Sequence, residues 1–433
     1  MNTTEQRSIQ DILCYWITFL SEALPLRGRS TFIELLVGSF MTRRGLVTEA
    51  LLAISRKCHW TTYYKWIEQG RWSWIGLARQ FTQLALDIVN PDMVYLAIDD
   101  TLTLRASNKA PGAKIHHQHG NKKNLAQYVL GQCWVSLALI ARRANGTPVA
   151  IPLLSRLMPS ITNTGKLVAA LTLMRTIRGL LQHRKVTVLV DSWYMRGKFV
   201  LALVKQGYTI IGQVRRDTAF FDEPEKPKKP TRGRKRKYGK KITPKRVAHM
   251  KKTKVNLNVY GQEHEIQYRE KVVLARFLSG NKVLAIWTQF PDPKGGWRKP
   301  CVLVSTDATM TAEQVIQAYA LRWPIEPMFN DLKNSWGLSE AWQQTRQVLH
   351  RWVHLTQIGF GLLQLASLRS GKQLGSVLSS CPWRPDQPAT PGNIRRGIET
   401  LFSHFRIQDW WDQKSRKLRP PESRQSGKRL KVA

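Results

Sequence analysis

A succession of apolar segments from residue 93 onward constrains the fold of this chain more than any other feature. The segments with the composition of β-strands are MVYLAIDDTLTL, GQCWVSLALIAR, TPVAIPLLSRL, KVTVLVDSWY and YTIIGQVRR. Helical periodicity is found in KLVAALTLMRTIRGLLQ before the fourth strand and in KFVLALVKQ before the fifth. Nearly continuous apolar strands that alternate with helices are typical of a mixed sheet covered on both faces. The sequence therefore predicts an α/β fold.

Changes in composition divide the chain into predicted regions. They are a helical region at 1–92, a sheet region split between 93–215 and 300–370, a basic loop with a β-rich insertion at 216–299, and a basic, partly disordered C-terminal region at 371–433. In the first region, basic and aromatic residues are interleaved at helical spacing. A helix-turn-helix DNA-binding unit has this composition, and so does a helical bundle with a basic surface. The overall charge favours the DNA-binding unit.

The chain is strongly basic, with 68 Lys and Arg residues against 29 Asp and Glu residues and a formal net charge of +39. Nucleic acid is the expected partner because its phosphates attract such a surface through counterion release. An anionic membrane is the alternative, but we find no long uncharged apolar run and predict no membrane-spanning helix. The polar N-terminus lacks the apolar core of a signal peptide, which predicts a cytoplasmic protein. No P-loop sequence occurs, so no use of ATP is predicted.

Three acidic positions stand out because each lies at the predicted end of a strand or start of a helix. Asp99 or Asp100 ends the first strand, Asp191 ends the fourth, and Glu326 follows the last strand near a helix start. Carboxylates at neighbouring strand ends repel one another unless a cation separates them, and hard oxygen ligands favour Mg²⁺. Two such ions can activate a water and stabilise a leaving 3′ oxygen. Each residue taken alone could instead be an ordinary turn or cap residue.

The segment YALRWPIEPMFNDLK places two prolines around Glu326. The first proline disfavours helical conformation at the residue before it, so one helix ends there and a second begins. Glu326 then falls in the first turn of the second helix, where a carboxylate is favoured in its ionised form. Tyr319 and Arg322 from the first helix and Lys333 from the second can approach one phosphate. A salt-bridged corner between Arg322 and Glu326 is the alternative.

The spacing Tyr-x2-Arg-x3-Glu-x6-Lys in this segment resembles the Y-R-E-K signature of bacterial insertion-sequence transposases of the DDE type. IDDT at 98–101 and VLVDSW at 188–193 resemble the two Asp motifs of that family, and the β-rich insertion before the Glu is similar. The resemblance covers about residues 93–370. It implies an RNase H-like catalytic domain, Mg²⁺-dependent nicking at transposon ends, and attack of the freed 3′-OH on a second DNA strand.

Carried over to this sequence, the resemblance implies two Mg²⁺ ions, replaceable by Mn²⁺, held by Asp100, Asp191 and Glu326. Asp100 is preferred to Asp99 because the family's aspartate precedes a threonine, which is Thr101 in this chain. The strand pattern alone does not decide between these two aspartates.

The resemblance also assigns residues to the DNA phosphates near the scissile bond, namely Tyr319, Arg322 and Lys333. An Arg suits bidentate contact with a phosphate, and a Lys acts as a point charge. Arg215 and Arg216, which follow the fifth strand, are further candidates for DNA contact. Pairing with a local acid such as Asp217 is the alternative for these two arginines.

An aromatic residue from the β insertion can stack on a flipped base in this family, and Trp297 in GGWRKP is the candidate. Trp287 is the alternative, although its place in VLAIW predicts a core position. The implied function is a transposase that acts on the inverted repeats of its own element and on target DNA, as a homodimer bridging two double-stranded ends. The alternatives are an RNase H-like nuclease or resolvase without strand transfer, and a non-catalytic DNA-binding protein derived from a transposase.

Overall fold

The computed structural model describes residues 8–42, 44–118, 126–159, 165–225, 235–369, 389–403 and 405–421. The chain forms two compact units. The first comprises Met1–Pro91, Asp100–Leu180 and Glu326–Ala433, and the second comprises Asp92–Asp99 and Leu181–Ile325. Each unit therefore contains segments that are distant in the sequence.

Helices and strands are numbered here in chain order. The helices are α1 (Ile9–Ser21), α2 (Arg29–Met41), α3 (Val47–Leu52), α4 (Trp60–Gln69), α5 (Trp74–Val89), α6 (Gly165–Ile177), α7 (Gly197–Val204), α8 (Pro244–Ala248), α9 (Ala312–Ala320), α10 (Ile325–Asn334), α11 (Arg346–Ala366), α12 (Pro391–Leu401) and α13 (Ile407–Trp410). The strands are β1 (Met93–Leu104), β2 (Lys114–His117), β3 (Tyr128–Arg142), β4 (Pro148–Leu157), β5 (Lys185–Val190), β6 (Thr209–Val214), β7 (Phe220–Phe221), β8 (Thr253–Val259), β9 (Gln262–Ala275), β10 (Asn281–Gln289), β11 (Cys301–Ser305), β12 (Trp411–Asp412) and β13 (Lys417–Leu418). Short 3-10 helices lie at Leu26–Gly28, Arg178–Leu181, Arg276–Leu278 and Leu338–Glu340.

The second unit is built on a mixed sheet. The first half of β1 lies parallel to β5, and β5 lies parallel to β6. β11, β10 and β9 continue the sheet with antiparallel pairings, and β7 and β8 each pair with β9. α7 packs against β6, while α9 packs against β6, β8 and β11. This mixed sheet flanked by helices, together with the helices at the N-terminus, confirms the predicted RNase H-like α/β fold class.

β1 is longer than predicted, which corrects the position of its two aspartates. The sequence predicts that this strand ends at Asp99 or Asp100, but it continues to Leu104. The reason is that β1 has a second neighbour, β3. In the first unit, Arg105 donates its backbone N–H to the carbonyl oxygen of Leu130 at 3.0 Å, which extends the pairing past the aspartates. Asp99 and Asp100 therefore lie inside a strand, where consecutive side chains point to opposite faces.

α11 forms the centre of the first unit. Its residues from Leu349 to Ala366 are all buried, and it packs against α2, α4, α5, α12 and β4. Burial on every side suits a helix that is apolar around most of its circumference. Arg351 is the main exception, and its guanidinium donates to the carbonyl oxygens of Ile67 and Gly70, both at 2.6 Å. These hydrogen bonds give the two terminal nitrogens of the buried guanidinium polar partners and hold α11 to the end of α4. No helix in the described ranges is long and apolar enough to cross a membrane.

The basic loop predicted before the β-rich insertion contains a short helix that the sequence analysis missed. α8 begins after Thr243, whose hydroxyl accepts the backbone N–H of Arg246 at 3.4 Å. The guanidinium of Arg246 also forms an ion pair with Asp222 at 2.7 Å. The loop prediction is therefore wrong for this part of the segment, because a cap and an ion pair order it. Residues 226–234, the centre of the predicted basic loop, lie outside the described residues.

The C-terminal region also contains an element that its composition did not predict. α12 begins with Thr390 as its cap and buries Ile394 and Ile398 completely. Arg395 on the same helix donates from Nε to the carbonyl oxygen of Phe40 at 2.9 Å. Helix α12 therefore belongs to the packed part of the first unit. Most of the remaining C-terminal region, 370–388 and 422–433, lies outside the described residues.

Two buried histidines on α11 link the stability of the first unit to pH. Each ring donates Nδ1–H to the carbonyl oxygen four residues earlier, at 2.8 Å for His350 and 2.7 Å for His354. Each Nε2 accepts a backbone N–H of β4, from Leu157 to His350 at 3.3 Å and from Ser155 to His354 at 3.2 Å. Both rings are therefore held in the neutral form. Burial lowers the pKa of His350 to about 4 and that of His354 to about 3.

We expect the free energy of unfolding to fall as the pH is lowered from about 6.5 toward 4. The unfolded chain protonates these histidines near their ordinary pKa of about 6.5, whereas the folded chain does not. The unfolded state thus binds more protons in this window, and stability falls by up to about 1.4 kcal/mol for each histidine and pH unit. Chemical unfolding at about pH 7 and pH 5 measures the slope. A double variant His350→Gln/His354→Gln that keeps the wild-type slope contradicts this assignment.

Candidate active site

Asp191 directly follows β5 and begins the turn that leads to α7. Its Oδ1 accepts the backbone N–H groups of Trp193 at 2.9 Å and Tyr194 at 3.2 Å. The Tyr194 side chain is fully buried, which anchors the turn in the second unit. The turn interpretation of Asp191 is therefore correct as local structure. The same hydrogen bonds hold the carboxylate at the end of the strand, where a site residue has to be rigid.

Asp99 forms an ion pair that the sequence analysis did not predict. It directly follows Ile98, which pairs with Val190 of the parallel strand β5. Its Oδ2 lies 2.8 Å from Nη1 of Arg322, and each of these two side chains is only 13% exposed. The pair joins β1 to the turn after α9 within the second unit. The partly buried carboxylate of Asp99 therefore holds the guanidinium of Arg322 in place.

Tyr319 lies one turn before Arg322 near the end of α9. Its ring centroid is 5.8 Å from the guanidinium carbon of Arg322, and its hydroxyl lies 3.5 Å from Oε1 of Gln213. Burial raises the pKa of the Tyr319 phenol, an effect that the charge of Arg322 opposes. The hydroxyl is therefore protonated at neutral pH and can donate a hydrogen bond to a phosphate oxygen.

Asp100 has a different environment, in the first unit. Its Oδ2 lies 2.7 Å from Nζ of Lys166 at the start of α6, and the two side chains are 17% and 23% exposed. The thiol of Cys133 lies 3.5 Å from the same oxygen. A cation from the chain thus neutralises this carboxylate. No pattern in the sequence marks Lys166, because a single lysine in the first turn of a helix is common and its partner lies 66 positions away.

The predicted break between two helices is confirmed. α9 and α10 are separated by residues 321–324, and Ile325 donates its backbone N–H to the carbonyl oxygen of Arg322 at 3.2 Å across the break. Glu326 lies exposed in the first turn of α10, and Lys333 lies in its last turn. The ends of the helix dipole favour this arrangement of charges, with a carboxylate at the N-terminus and an ammonium at the C-terminus.

A buried arginine after β1 holds the segment that follows α10. Arg105 donates from Nη1 to the carbonyl oxygen of Ser339 at 2.6 Å, from Nη2 to that of Ala341 at 3.2 Å, and from Nε to Oε1 of Gln132 at 2.9 Å. Burial lowers the pKa of Arg105 to about 10. In the first unit, these bonds tie the strand that carries Asp100 to the turn after α10. Sequence reasoning missed Arg105, since its partner Ser339 is 234 positions away.

Three tryptophans of the second unit differ in their exposure. Trp297 is half-buried in the loop after β10, with Nζ of Lys254 at 5.3 Å from its ring centroid. Trp287 is buried, as its place in an apolar strand predicted. Trp323, which no motif in the sequence marks, is 53% exposed and directly follows Arg322. It meets Tyr260 edge to face, with ring centroids 6.4 Å apart.

We expect replacement of the base-stacking tryptophan by alanine to lower DNA affinity by about 1–3 kcal/mol, the usual contribution of one stacked base. Trp297→Ala and Trp323→Ala, each tested against DNA carrying 2-aminopurine, identify the residue through the fluorescence change that accompanies unstacking. A loss confined to Trp297→Ala supports the assignment made from the sequence. A loss confined to Trp323→Ala moves the stacking role to the more exposed ring.

Arg215 and Arg216 follow β6, and both side chains are exposed. In the described part of the chain neither forms an ion pair with a carboxylate, so the predicted alternative of pairing with Asp217 is not found. Both arginines therefore present positive charge to the solvent at the end of a strand of the second unit. Contact with a DNA backbone stays a prediction for them.

The predicted metal ligands are all carboxylates, whose oxygens are the donors that Mg²⁺ prefers. Asp100 and Asp191 are half-buried and Glu326 is exposed. Among the described residues, no group of three or more His, Cys, Asp and Glu side chains is arranged to hold a metal ion. The donor chemistry of these residues fits Mg²⁺, and their joint role as ligands stays a prediction.

Comparison with known families adds evidence independent of this geometry. The sequence profile of DDE superfamily endonucleases matches residues 35–272, which is more than half of the chain. The matched segment contains Asp100 and Asp191 and ends before Glu326. A search of curated proteins found no match. The chain therefore belongs to the DDE superfamily endonucleases, a family of nucleases that act on DNA and typically use divalent metal ions.

Proposed function

We propose that this chain is a DDE transposase that cleaves DNA at the ends of a bacterial insertion sequence and joins these ends to a target DNA. One observation carries the proposal: β1 and β5 are parallel with Ile98 opposite Val190, and Asp100 follows Ile98 by two residues while Asp191 follows Val190 by one. Membership in a family of DNA endonucleases supports strand cleavage. The Y-R-E-K spacing in residues 319–333 supports a transposase in particular.

Asp100, Asp191 and Glu326 would hold two Mg²⁺ ions, which Mn²⁺ can replace. Bound ions supply activation of the attacking water and stabilisation of the leaving 3′ oxygen. In the cleavage step, the water oxygen bonds to phosphorus and the bond from phosphorus to the 3′ oxygen breaks, which leaves a 3′-OH and a 5′-phosphate. In the joining step, this 3′-OH loses its proton and attacks a target phosphodiester, whose own 3′ oxygen leaves.

The chain's other residues position the DNA. Arg322 is held by an ion pair in which its Nη1 lies 2.8 Å from Oδ2 of Asp99. It binds a phosphate near the scissile bond, and Tyr319 donates a hydrogen bond to the same phosphate. Lys333 adds a positive charge seven residues after Glu326. Arg215, Arg216 and Trp297 contact the strand farther along. The helical region at 1–92 binds the DNA ends, and two copies of the chain bridge two ends.

A joining assay tests this proposal. A labelled duplex from either flank of the gene is incubated with the full-length chain, Mg²⁺ and a supercoiled plasmid, and the products are separated on denaturing and native gels. The proposal predicts nicks at the element's ends and label joined to the plasmid. Nicks without joined label would indicate a nuclease. Binding of the duplex without nicks, in Mg²⁺ or Mn²⁺, would indicate a non-catalytic DNA-binding protein.

A further inference from the structure

A cavity in the second unit lies beside the turn that follows β5, and we propose that it binds a phosphate-bearing nucleotide of a DNA strand. Its volume is about 520 Å³, which lies in the range of ligand-binding cavities. Three arginines line it, Arg196, Arg215 and Arg276. The sequence analysis singled out only Arg215 among them, because the three are separated in the chain and no motif connects them.

The three arginines reach the cavity from separate segments that are held together. Arg196 precedes α7, Arg215 follows β6, and Arg276 begins the 3-10 helix after β9. The backbone N–H of Arg276 donates to the carbonyl oxygen of Ala219 at 3.2 Å. Gly197 approaches the carbonyl oxygen of Phe277 so closely that a side chain at this position would collide with it. The walls of the cavity are therefore fixed by the fold, which lowers the entropy cost of binding a ligand.

The cavity has an excess of positive charge, because three arginines and one carboxylate line it. In the described part of the chain none of the three arginines forms an ion pair, although Asp217 also lines the cavity. Some basic residues elsewhere in the same unit are paired, as Arg246 and Lys271 are with Asp222, both at 2.7 Å. One unpaired arginine is expected in a chain with a net charge of +39. Three that line a single cavity indicate a site for an anion.

The other lining residues favour a nucleotide over a simple anion. Guanidinium groups bind phosphate through paired hydrogen bonds, and the hydroxyls of Ser192 and Thr218 are further donors in the lining. Met195 and Phe277 add an apolar wall against which a sugar or base can pack. Ser192 directly follows Asp191, so the nucleotide would belong to a strand that runs past the cleaved bond. This assignment to a strand rests on the proposed catalytic role of Asp191.

Binding of a fluorescent single-stranded oligonucleotide to the full-length chain tests the inference. The measurement is made in EDTA, so that no cleavage occurs. The variant Arg196→Gln/Arg276→Gln should raise the Kd about tenfold or more and flatten its dependence on salt. The matched control, Arg175→Gln/Arg178→Gln, removes two exposed arginines outside the cavity, and its Kd should change less than about twofold.

A second ligand distinguishes binding in the cavity from nonspecific electrostatic attraction of DNA to the basic surface. An oligonucleotide with uncharged methylphosphonate linkages should bind the wild type much more weakly, yet the arginine double variant should lose little further affinity for it. Equal affinity of the wild type and the double variant for the natural oligonucleotide overturns the inference. Displacement of the oligonucleotide by an equal concentration of thymidine monophosphate would show that the cavity binds a free nucleotide, and it would overturn the assignment of the ligand to a DNA strand. Cleavage plays no part in these results, so failure of the proposed function would be seen separately in the joining assay.

Discussion

Asp191→Asn and Glu326→Gln should each lower the rate of strand cleavage by about a thousandfold or more, while DNA binding persists. A loss of this size is usual when a group that acts in the transition state is removed. The amide of Asn retains an oxygen that can accept the N–H groups of Trp193 and Tyr194, so the turn after β5 should survive the change. The substitution therefore removes the negative charge that a metal ligand needs and preserves the local structure.

Asp307→Asn is the matched control for Asp191→Asn. Asp307 also follows a strand of the second unit, and its Oδ1 accepts the backbone N–H of Thr309 at 2.9 Å. It therefore undergoes the same chemical change in a similar turn but carries no proposed catalytic role. Cleavage rates, DNA affinity and melting temperature are measured for all variants. If Asp191→Asn cleaved DNA at a rate close to that of Asp307→Asn, Asp191 would not be an active-site residue.

Asp100→Cys should lose cleavage in Mg²⁺ and recover it in part in Mn²⁺, whereas Asp99→Cys should show no such recovery. A thiolate is a poor ligand for Mg²⁺ but binds softer ions better, so recovery in Mn²⁺ identifies a residue that touches the metal. Asp99 is expected to act instead through Arg322, to which it is joined at 2.8 Å. Loss of that partly buried pair should cost up to about 3 kcal/mol of stability.

The roles of these two aspartates can be tested separately, although the residues are neighbours in one strand. Their side chains point to opposite faces, and they have different partners, Arg322 for Asp99 and Lys166 for Asp100. In the proposed assignment, a metal ligand and a positioning residue are therefore neighbours in the sequence. If Mn²⁺ restored cleavage by Asp99→Cys but not by Asp100→Cys, the two roles would be exchanged. The choice of Asp100 as the metal ligand, made because it precedes Thr101, would then be wrong.

The apolar patterning predicted the sheet and most of its helices correctly, since the segments at 93–104 and 185–190 form the parallel pair β1 and β5. It placed the end of β1 too early because carboxylates usually mark a strand end, whereas the second neighbour of β1 continues the pairing to Leu104. Helix α12 was missed because its burial depends on contacts such as Arg395 with Phe40, 355 positions away. Such long-range contacts cannot be predicted from the local composition of the sequence.

The candidate site was predictable where a local rule determined the structure. The proline between α9 and α10 fixed the helix break and the place of Glu326 in the first turn. The ion pairs of Asp99 and Asp100 were not predictable, because each joins residues that are far apart in the chain. The same limit applies to the three arginines that share the cavity beside β5, since only the folded second unit brings them together.

Iron-dependent cutting of the chain itself tests most directly whether Asp100, Asp191 and Glu326 share one metal site. Fe²⁺ supplied in place of Mg²⁺, with ascorbate and peroxide, generates hydroxyl radicals that cut the backbone near the bound ion, and mass spectrometry maps the cuts. We expect cuts beside all three carboxylates, suppressed together by excess Mg²⁺ and lost together in Asp191→Asn. Cuts near only one of the three, or cuts that Asp191→Asn leaves unchanged, would contradict a shared site and with it the proposed transposase mechanism.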